Sequence, residues 1–384
     1  DGLFHWINSV VQNKSAIIIS VVIGIVVLSA VVIPRIQPET NYITFFSKNS
    51  EVRIANDLVN EHFGGSNTIE VIVNTGEVNG IESPDFLQRV KEFQNQAETI
   101  DQLAHPMSIV DLLEEENKAL HGGREEYNRL PEKGIAQYLL LLESDDDQIV
   151  DDFTDFDHQE ARIRIMTSST ESRETKMILS KIQDMADQYF REYGDRVTVT
   201  GVPVLSDKLQ DLIISSQIRS LISAIIFAFI VTSLLLKSAL KGLACSAPIA
   251  VTVLANFGIM GWTAVPLDAA TSMIASVAVG IGIDYAIHLY TRYQEGIDNG
   301  ADVQSALEEA IHAVGRANYF NDFAVTSGFL VLLFSNFPPL RTFGLLTSVT
   351  MLLSLAGAML LLPALIRLKE QAQNKITNNN ARQS

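Results

Sequence analysis

Six long runs of apolar residues constrain this chain of 384 residues more than any other feature. They cover residues 15–34, about 213–236, 242–267, 269–290, 323–340 and 342–366. Each is long enough to cross a hydrocarbon core of about 30 Å as a helix. A soluble fold would have to bury all of them in one domain. The sequence therefore predicts an α-helical polytopic membrane protein with six transmembrane helices.

Positive charges mark one side of these predicted spans. The residues that carry them are Lys14, Lys237, Lys241, Arg292, Arg316, Arg367 and Lys369. By the positive-inside rule both termini are predicted to be cytoplasmic, with residues 37–208 outside the cytoplasmic (inner) cell membrane. Of the 45 acidic residues, 34 lie in that external segment, and the net charge is -17. This acidic surface argues against nucleic acid as a partner.

The external segment alternates between strand and helix patterns. Strands are predicted at residues 69–74, 106–110, 161–166 and 196–201, and helices at 83–97 and 168–193. Strand, helix, strand, insertion, strand, helix, strand is the ferredoxin-like, or split βαβ, order. We therefore divide the chain into residues 1–36 with the first span, an α+β ferredoxin-like domain at 37–208, spans two to six at 209–368, and a disordered tail at 369–384.

The fourth span contains an acidic residue, Asp284, at membrane depth. A carboxylate there costs several kcal/mol unless it faces protein, water or a partner, so a functional role is expected. Small and polar residues recur every four positions along the same helix face: Ser272, Ser276, Gly280, Asp284 and His288. Small residues allow another helix to approach closely, and His288 is placed to exchange protons with Asp284. The alternative is that Asp284 only stabilises helix packing.

The fifth span supplies a second carboxylate, Asp322. Asn321 beside it and Thr326 one turn later complete a polar patch. Asp322 is a candidate to share a proton with Asp284, as close carboxylates do. The alternative is a headgroup position in which solvent covers its charge.

These residues resemble a known family. Residues 280–288, Gly-Ile-Gly-Ile-Asp-Tyr-Ala-Ile-His, are similar to the fourth-helix signature of resistance-nodulation-division (RND) transporters of the MMPL, or hydrophobe/amphiphile efflux, type. Residues 328–335, 337–339, 343–344 and 361–365 resemble the fifth and sixth helices, and residues 63–65 the porter domain. The resemblance implies a sterol-sensing-like six-helix unit and proton-driven export of hydrophobic or amphiphilic molecules such as lipids or drugs. It also implies that Asp284 and Tyr285 form the proton relay.

We extend this predicted relay to His288 and Asp322, with Ser276, Gly280, Gly282 and Asn321 as the helix-packing residues around it. Members of the family normally contain two six-helix units, whereas this chain has one. We therefore expect a second unit, either another copy or the missing part of a longer polypeptide. The first residue is Asp1 and not Met, which favours a fragment of a longer chain, with the C-terminal half as one candidate, and leaves a half-size protein open.

Two other functions use the same six-helix unit. One is a protein-translocation accessory like SecD or SecF, and the other is a lipid-sensing receptor or scaffold without transport. An enzyme is not expected, because the sequence has no metal-spaced His/Cys cluster, nucleophile elbow or nucleotide loop. No cofactor or metal is predicted besides protons as the coupling ion. The expected partners are the lipid bilayer, hydrophobic or amphiphilic molecules, and the second unit.

Overall fold

The chain forms two compact units, one from Asp1–Glu39 with Leu212–Ser384 and one from Thr40–Asp211. The computed structural model describes residues 2–39, 42–168 and 172–383, with side chains at all of these except 42, 145–148 and 373–383. The helices are α1 (Gly2–Val32), α2 (Glu51–Phe63), α3 (Pro84–Ala97), α4 (Ile109–Leu120), α5 (Ile135–Asp151), α6 (Ser172–Tyr189), α7 (Val202–Leu235), α8 (Ala239–Thr263), α9 (Ala269–Asp298), α10 (Val303–Leu330), α11 (Pro338–Ala356) and α12 (Leu362–Gln383). The strands are β1 (Asn67–Asn74), β2 (Leu103–Met107), β3 (Glu160–Thr167) and β4 (Val197–Gly201).

The strands form one antiparallel sheet in the unit Thr40–Asp211. Its order is β2-β3-β1-β4, and Val71 on β1 pairs with Ile163 on β3. Alternate residues of β1 and β3 are buried, as expected for a sheet with one face against a core. Phe93 of α3 and Phe190, just after α6, contribute aromatic rings to this core, with centroids 5.4 Å apart.

The second strand differs from its prediction. Residues 106–110 were expected to be extended, but β2 is Leu103–Met107 and α4 begins at Ile109. The hydroxyl of Ser108 accepts a hydrogen bond from the Val110 amide, while the Asp111 carboxylate accepts one from the Ser108 amide at 2.8 Å. This capping box stabilises a helix start within a short apolar segment that by itself resembles a strand.

The other unit is helical within its described residues. Among the residues that the structure describes, five helical segments of the chain are long and apolar enough to cross a membrane: Gly2–Arg35, Val202–Leu235, Ala239–Thr263, Ala269–Asp298 and Pro338–Ala372. These segments are those of a polytopic membrane protein. α10 is not among them, so the sixth span remains a prediction.

The predicted fifth span, residues 323–340, is not one helix. α10 ends at Leu330, a 3₁₀ turn follows at Val331–Phe334, and α11 begins at Pro338. Proline lacks the amide that a preceding helix would need and disfavours helical geometry in the residue before it. Pro338 is therefore compatible with the first turn of α11 but not with a helix continuing from α10.

The tail also differs from its prediction, because α12 runs to Gln383 where disorder was expected over residues 369–384. The sequence after Pro363 contains no glycine or proline to break the helix. Side chains of residues 373–384 lie outside those described.

Two irregularities occur in the helical unit. α1 is kinked at Lys14, where φ is -133° and ψ is 26°. Between α11 and α12 the helix widens into a π-helical turn at Gly357–Leu361. α8 packs closely on α1 at Gly258, because a Cβ atom at this position would collide with the Ser29 side chain of α1. Cys245 of α8 is fully buried in the core formed with α1, α9, α10 and α12.

Candidate functional site

The candidate site is built on α9, and hydrogen bonds fix where this helix begins. The Asp268 carboxylate accepts a hydrogen bond from the Thr271 amide at 2.7 Å, and the Thr271 hydroxyl accepts one from the Asp268 amide at 2.9 Å. Just before this cap, the Leu267 amide donates to the Gln37 carbonyl at 2.9 Å. The residues after α1 therefore hold the α8–α9 connection, which sets the starting point of the helix that carries Asp284.

One face of α9 is exposed in this chain and carries the predicted polar stripe. Ser276, Gly280, Asp284 and His288 are all exposed, while Ser272 is half-buried. A Cβ atom on Gly280 would meet no other atom within 4 Å. The part of the stripe from Ser276 to His288 is therefore left largely uncovered by the described residues of this unit.

Asp284 and His288 are paired on that exposed face. The Nε2 atom of His288 lies 3.1 Å from Oδ1 of Asp284, and the two side chains are 61% and 58% exposed. Because the residues are four positions apart, they lie on adjacent turns of one helix. An imidazole at this distance can pass a proton to or from the carboxylate.

A second polar pair involves Tyr285, the next residue of α9. Tyr285 is fully buried, and its hydroxyl donates a hydrogen bond to the Asp322 carboxylate of α10 at 3.3 Å. Asp322 is only 1% exposed, which places it inside the helix bundle rather than in the solvated position considered as its alternative. A buried carboxylate needs such a hydrogen bond, because desolvation otherwise disfavours it strongly.

The packing residues predicted around the relay differ in their burial. Gly282 is buried, and a Cβ atom there would lie 3.0 Å from the Ser354 hydroxyl oxygen and 3.6 Å from Cγ1 of Ile249. Asn321, in contrast, is exposed. Gly282 thus permits close packing of α9 against α11 and α8, whereas Gly280 belongs to the exposed stripe.

The two carboxylates have separate partners in the structure, since Asp284 contacts His288 and Asp322 contacts Tyr285. Tyr285 follows Asp284 directly, and consecutive helix residues point about 100° apart. Neighbouring residues of α9 therefore belong to two different polar pairs, the exposed Asp284–His288 pair and the buried Tyr285–Asp322 pair.

Sequence reasoning missed a further buried polar pair, Asn256 of α8 and Thr350 of α11. The Thr350 hydroxyl donates a hydrogen bond to the side-chain amide oxygen of Asn256 at 3.1 Å, and both residues are almost fully buried. An asparagine within a long apolar run was the available signal, because amides hydrogen-bond between helices in membranes. Over the described ranges, no group of three or more His, Cys, Asp and Glu residues is arranged to hold a metal ion.

The sequence signature on α9 also has a counterpart among known proteins. The model of the MMPL family matches residues 45–383, which covers most of both units but not α1. The chain belongs to the MMPL family. The resemblance inferred from residues 280–288 is therefore confirmed at the level of the family, while the relay roles of Asp284, Tyr285, His288 and Asp322 remain predictions.

Relatives of this MMPL chain differ widely in length. A protein of Methanocaldococcus jannaschii described as a membrane protein is 22% identical over 372 residues, 94% of this chain and 92% of the relative. The probable transport protein MmpL12 of Mycobacterium tuberculosis is 32% identical over 115 residues, 30% of this chain but 10% of the relative. The sulfolipid-1 exporter MmpL8 of the same organism is 30% identical over 93 residues, 24% of this chain and 8% of the relative. The match thus spans nearly all of the archaeal protein and a small part of each mycobacterial protein.

Proposed function

We propose that this MMPL chain is a secondary transporter that uses the proton-motive force to export hydrophobic or amphiphilic molecules. The single observation that carries the proposal is the arrangement on α9, where Asp284 pairs with His288 on the exposed face while Tyr285 bonds the buried Asp322. A carboxylate in a membrane span is by default a functional group. α9 carries one such carboxylate, Asp284, and is hydrogen-bonded through Tyr285 to a second, Asp322. Family membership and the transport names of the mycobacterial relatives support the same function.

In the proposed cycle, Asp284 and His288 exchange protons with water or with a second unit at the exposed stripe. Proton transfer to Asp322 then changes its hydrogen bond with Tyr285, because a protonated carboxyl group donates as well as accepts. That bond links α9 to α10, so its rearrangement alters how these helices pack. Proton binding would thus shift the equilibrium between two packing arrangements of α9 and α10.

Transport also requires a substrate-handling part, and we assign this role to the unit Thr40–Asp211. Its antiparallel sheet order, β2-β3-β1-β4, supports the ferredoxin-like porter domain expected from the family resemblance. In our proposal this domain is extracytoplasmic, both termini are cytoplasmic, and the protein resides in the inner membrane. The name of the sulfolipid-1 exporter favours lipids among the possible amphiphilic substrates.

The exposed stripe is proposed to face a second six-helix unit. Lipid would offer the Asp284 and His288 side chains no hydrogen bonds, and both are more than half exposed in this chain. Transporters built from repeated units place their coupling sites at the interface between the repeats. A second unit, from another copy or from a longer polypeptide, would cover Ser276, Gly280 and Asp284.

Everted membrane vesicles with an acidic lumen test the proposed coupling. Candidate amphiphiles, including fluorescent phospholipids and neutral and cationic dyes, are added while a lumenal dye reports pH. We expect at least one of them to release lumenal protons in vesicles with the wild-type protein but not with Asp284→Asn. The matched control is Asp298→Asn, which removes an exposed carboxylate at the end of the same helix.

Two results would refute proton coupling. One is equal proton release by the wild type and Asp284→Asn at matched protein levels. The other is substrate flux that an ionophore leaves unchanged.

A further inference from the structure

An apolar groove lies between α1, α8 and the α11–π-helical segment, away from the proposed relay. Its cavity volume is about 290 Å³, and among its lining residues are Ile18 and Val22 of α1, Ala255 of α8, and Ala356 and Leu360. This volume lies just below the range of about 300–1,000 Å³ for pockets that hold small molecules. The groove is suited to a single slender apolar chain.

Both helix irregularities of this unit line the groove. Lys14 is the kink residue of α1, and Gly357 and Leu360 belong to the π-helical turn. Kinks have identifiable local causes, and π-helical turns occur frequently at functional sites. A Cβ atom on Gly357 would lie 3.2 Å from Cβ of Pro248, so this turn already packs tightly on α8. The wall of the groove thus includes residues of two segments that depart from regular helix geometry.

The groove has one charged residue, Lys14, which lies on its α1 wall one turn after Val10. Its other polar residue, Thr252, donates its hydroxyl hydrogen to the Pro248 carbonyl at 3.0 Å and so needs no ligand. The Lys14 side chain is exposed and makes no ion pair within the described part of the chain. Its ammonium group offers three hydrogen-bond donors and a positive charge.

The part of the groove between Lys14 and its far end matches one leaflet of a bilayer in length, while Val10 lines the groove on the other side of Lys14. From Lys14 to Ile25, the most distant groove residue on α1, a helix rises about 17 Å. Half of a hydrocarbon core of about 30 Å is about 15 Å. A chain lying in the groove with its headgroup at Lys14 would therefore extend through a single leaflet.

We propose that this groove is a binding site for an anionic phospholipid, which places one acyl chain along α1 and its phosphate on the Lys14 ammonium. Charge complementarity decides the occupant, because the groove offers one cation and an otherwise apolar wall. A lysine that only reaches toward the headgroup region would favour no particular lipid beyond general surface attraction. The site is independent of proton coupling and holds a structural or regulatory lipid in the leaflet that contains Lys14.

Native mass spectrometry of the detergent-solubilised protein, with added phosphatidylglycerol or phosphatidylcholine, measures this binding. We expect the wild type to retain phosphatidylglycerol preferentially and Lys14→Gln to lose about five-fold in affinity, the effect of one lysine near an anionic lipid. Lys14→Arg should restore most of the preference. The control Arg35→Gln removes a charge beyond the other end of α1 and should leave it unchanged.

A second pair of variants tests the groove itself. Ala356→Phe fills it and should abolish retention of the lipid, whereas Ala30→Phe, at an exposed position of α1 outside the groove, should not. Equal retention of phosphatidylglycerol and phosphatidylcholine by the wild type would overturn the proposal. So would a phosphatidylglycerol preference that survives both Lys14→Gln and Ala356→Phe.

Discussion

The hydroxyl of Tyr285 donates a hydrogen bond to the carboxylate of Asp322 at 3.3 Å, and the two residues, 37 positions apart, are both buried. This bond joins α9 to α10 inside the helical unit. It gives a buried acidic group a hydrogen-bond donor, so the protonation state of Asp322 and this hydrogen bond depend on each other. The neighbouring residue Asp284 instead lies on the exposed face of α9. Adjacent residues of this helix therefore provide an exposed carboxylate and contact a buried one.

Removing the Tyr285 hydroxyl should destabilise the helical unit. Tyr285→Phe leaves the buried Asp322 carboxylate without this donor, at an expected cost of about 1–3 kcal/mol. Thermal unfolding of the purified protein in detergent measures the loss. Tyr319→Phe, which removes a hydroxyl from an exposed residue of α10, is the matched control and should leave the midpoint unchanged. Equal midpoints for both variants would show that the Tyr285–Asp322 bond contributes nothing to stability.

The two glycines of the α9 signature should respond in opposite ways to the same substitution. Gly282→Leu forces a side chain against Ser354 and Ile249, and overpacking of this kind costs about 1–3 kcal/mol. A Cβ atom at Gly280 meets no other atom within 4 Å, so Gly280→Leu should not lower the unfolding midpoint of this unit but should weaken assembly with a second unit. Unfolding in detergent and size-exclusion chromatography separate the two effects. An unfolding midpoint lowered equally by both changes would contradict the assignment of Gly280 to an interface.

Single cysteines test directly whether the α9 stripe faces a second unit. In a homo-oligomer, Ser276→Cys is expected to form a cross-linked dimer in membranes with a short bifunctional thiol reagent. Ser354→Cys, a change of the same residue type at a buried position, should not cross-link. If the second unit belongs to the same longer polypeptide, the partner cysteine is introduced there instead. A Ser276→Cys protein that reacts only with lipid-soluble monofunctional reagents, and never cross-links, would place the stripe against lipid.

The predicted topology is tested by labelling with a membrane-impermeant thiol reagent in intact cells. Phe156→Cys, at a residue that is 96% exposed in the Thr40–Asp211 unit, should be labelled without permeabilisation. Ala239→Cys, exposed at the start of α8, should be labelled only after the membrane is opened. The reverse pattern would invert the orientation inferred from Lys237 and Lys241.

The core of the Thr40–Asp211 unit should tolerate little change at its aromatic rings. Phe93 is fully buried beside Phe190, and Phe93→Ala is expected to cost about 3–5 kcal/mol. Phe156→Ala removes an equal side chain from an almost fully exposed position and should change stability by less than about 0.5 kcal/mol. Chemical denaturation followed by circular dichroism measures both values, and a similar effect of the two changes would contradict the observed core.

Long periodic segments could be predicted from the sequence, while boundaries that depend on specific hydrogen bonds could not. The apolar run at 269–290 gave α9, which begins at the predicted residue 269 but extends to Asp298. The strand expected at 106–110 ended earlier because Ser108 and Asp111 cap a helix. The run at 323–340 appeared continuous because hydropathy does not register the helix stop before Pro338.

The candidate site shows the same limit. The stripe from Ser276 to His288 follows from the helical period alone, so its common face was predictable. The contact between Tyr285 and Asp322 depends on how α9 and α10 pack, which no local pattern encodes. Burial of Asp322 therefore emerged only from the structure, and the same holds for the Asn256–Thr350 pair between α8 and α11.

Complete burial of Cys245 has a practical consequence for chemical studies of this protein. It is the one cysteine in the sequence, and its sulfur lies in the helical core where a bulky maleimide has no access in the folded state. A cysteine introduced at a surface position is therefore labelled without a competing reaction at Cys245, and Cys245 does not have to be replaced first. Reaction of the unmodified protein with such a reagent would in turn report unfolding, so Cys245 serves as a built-in probe of structural integrity.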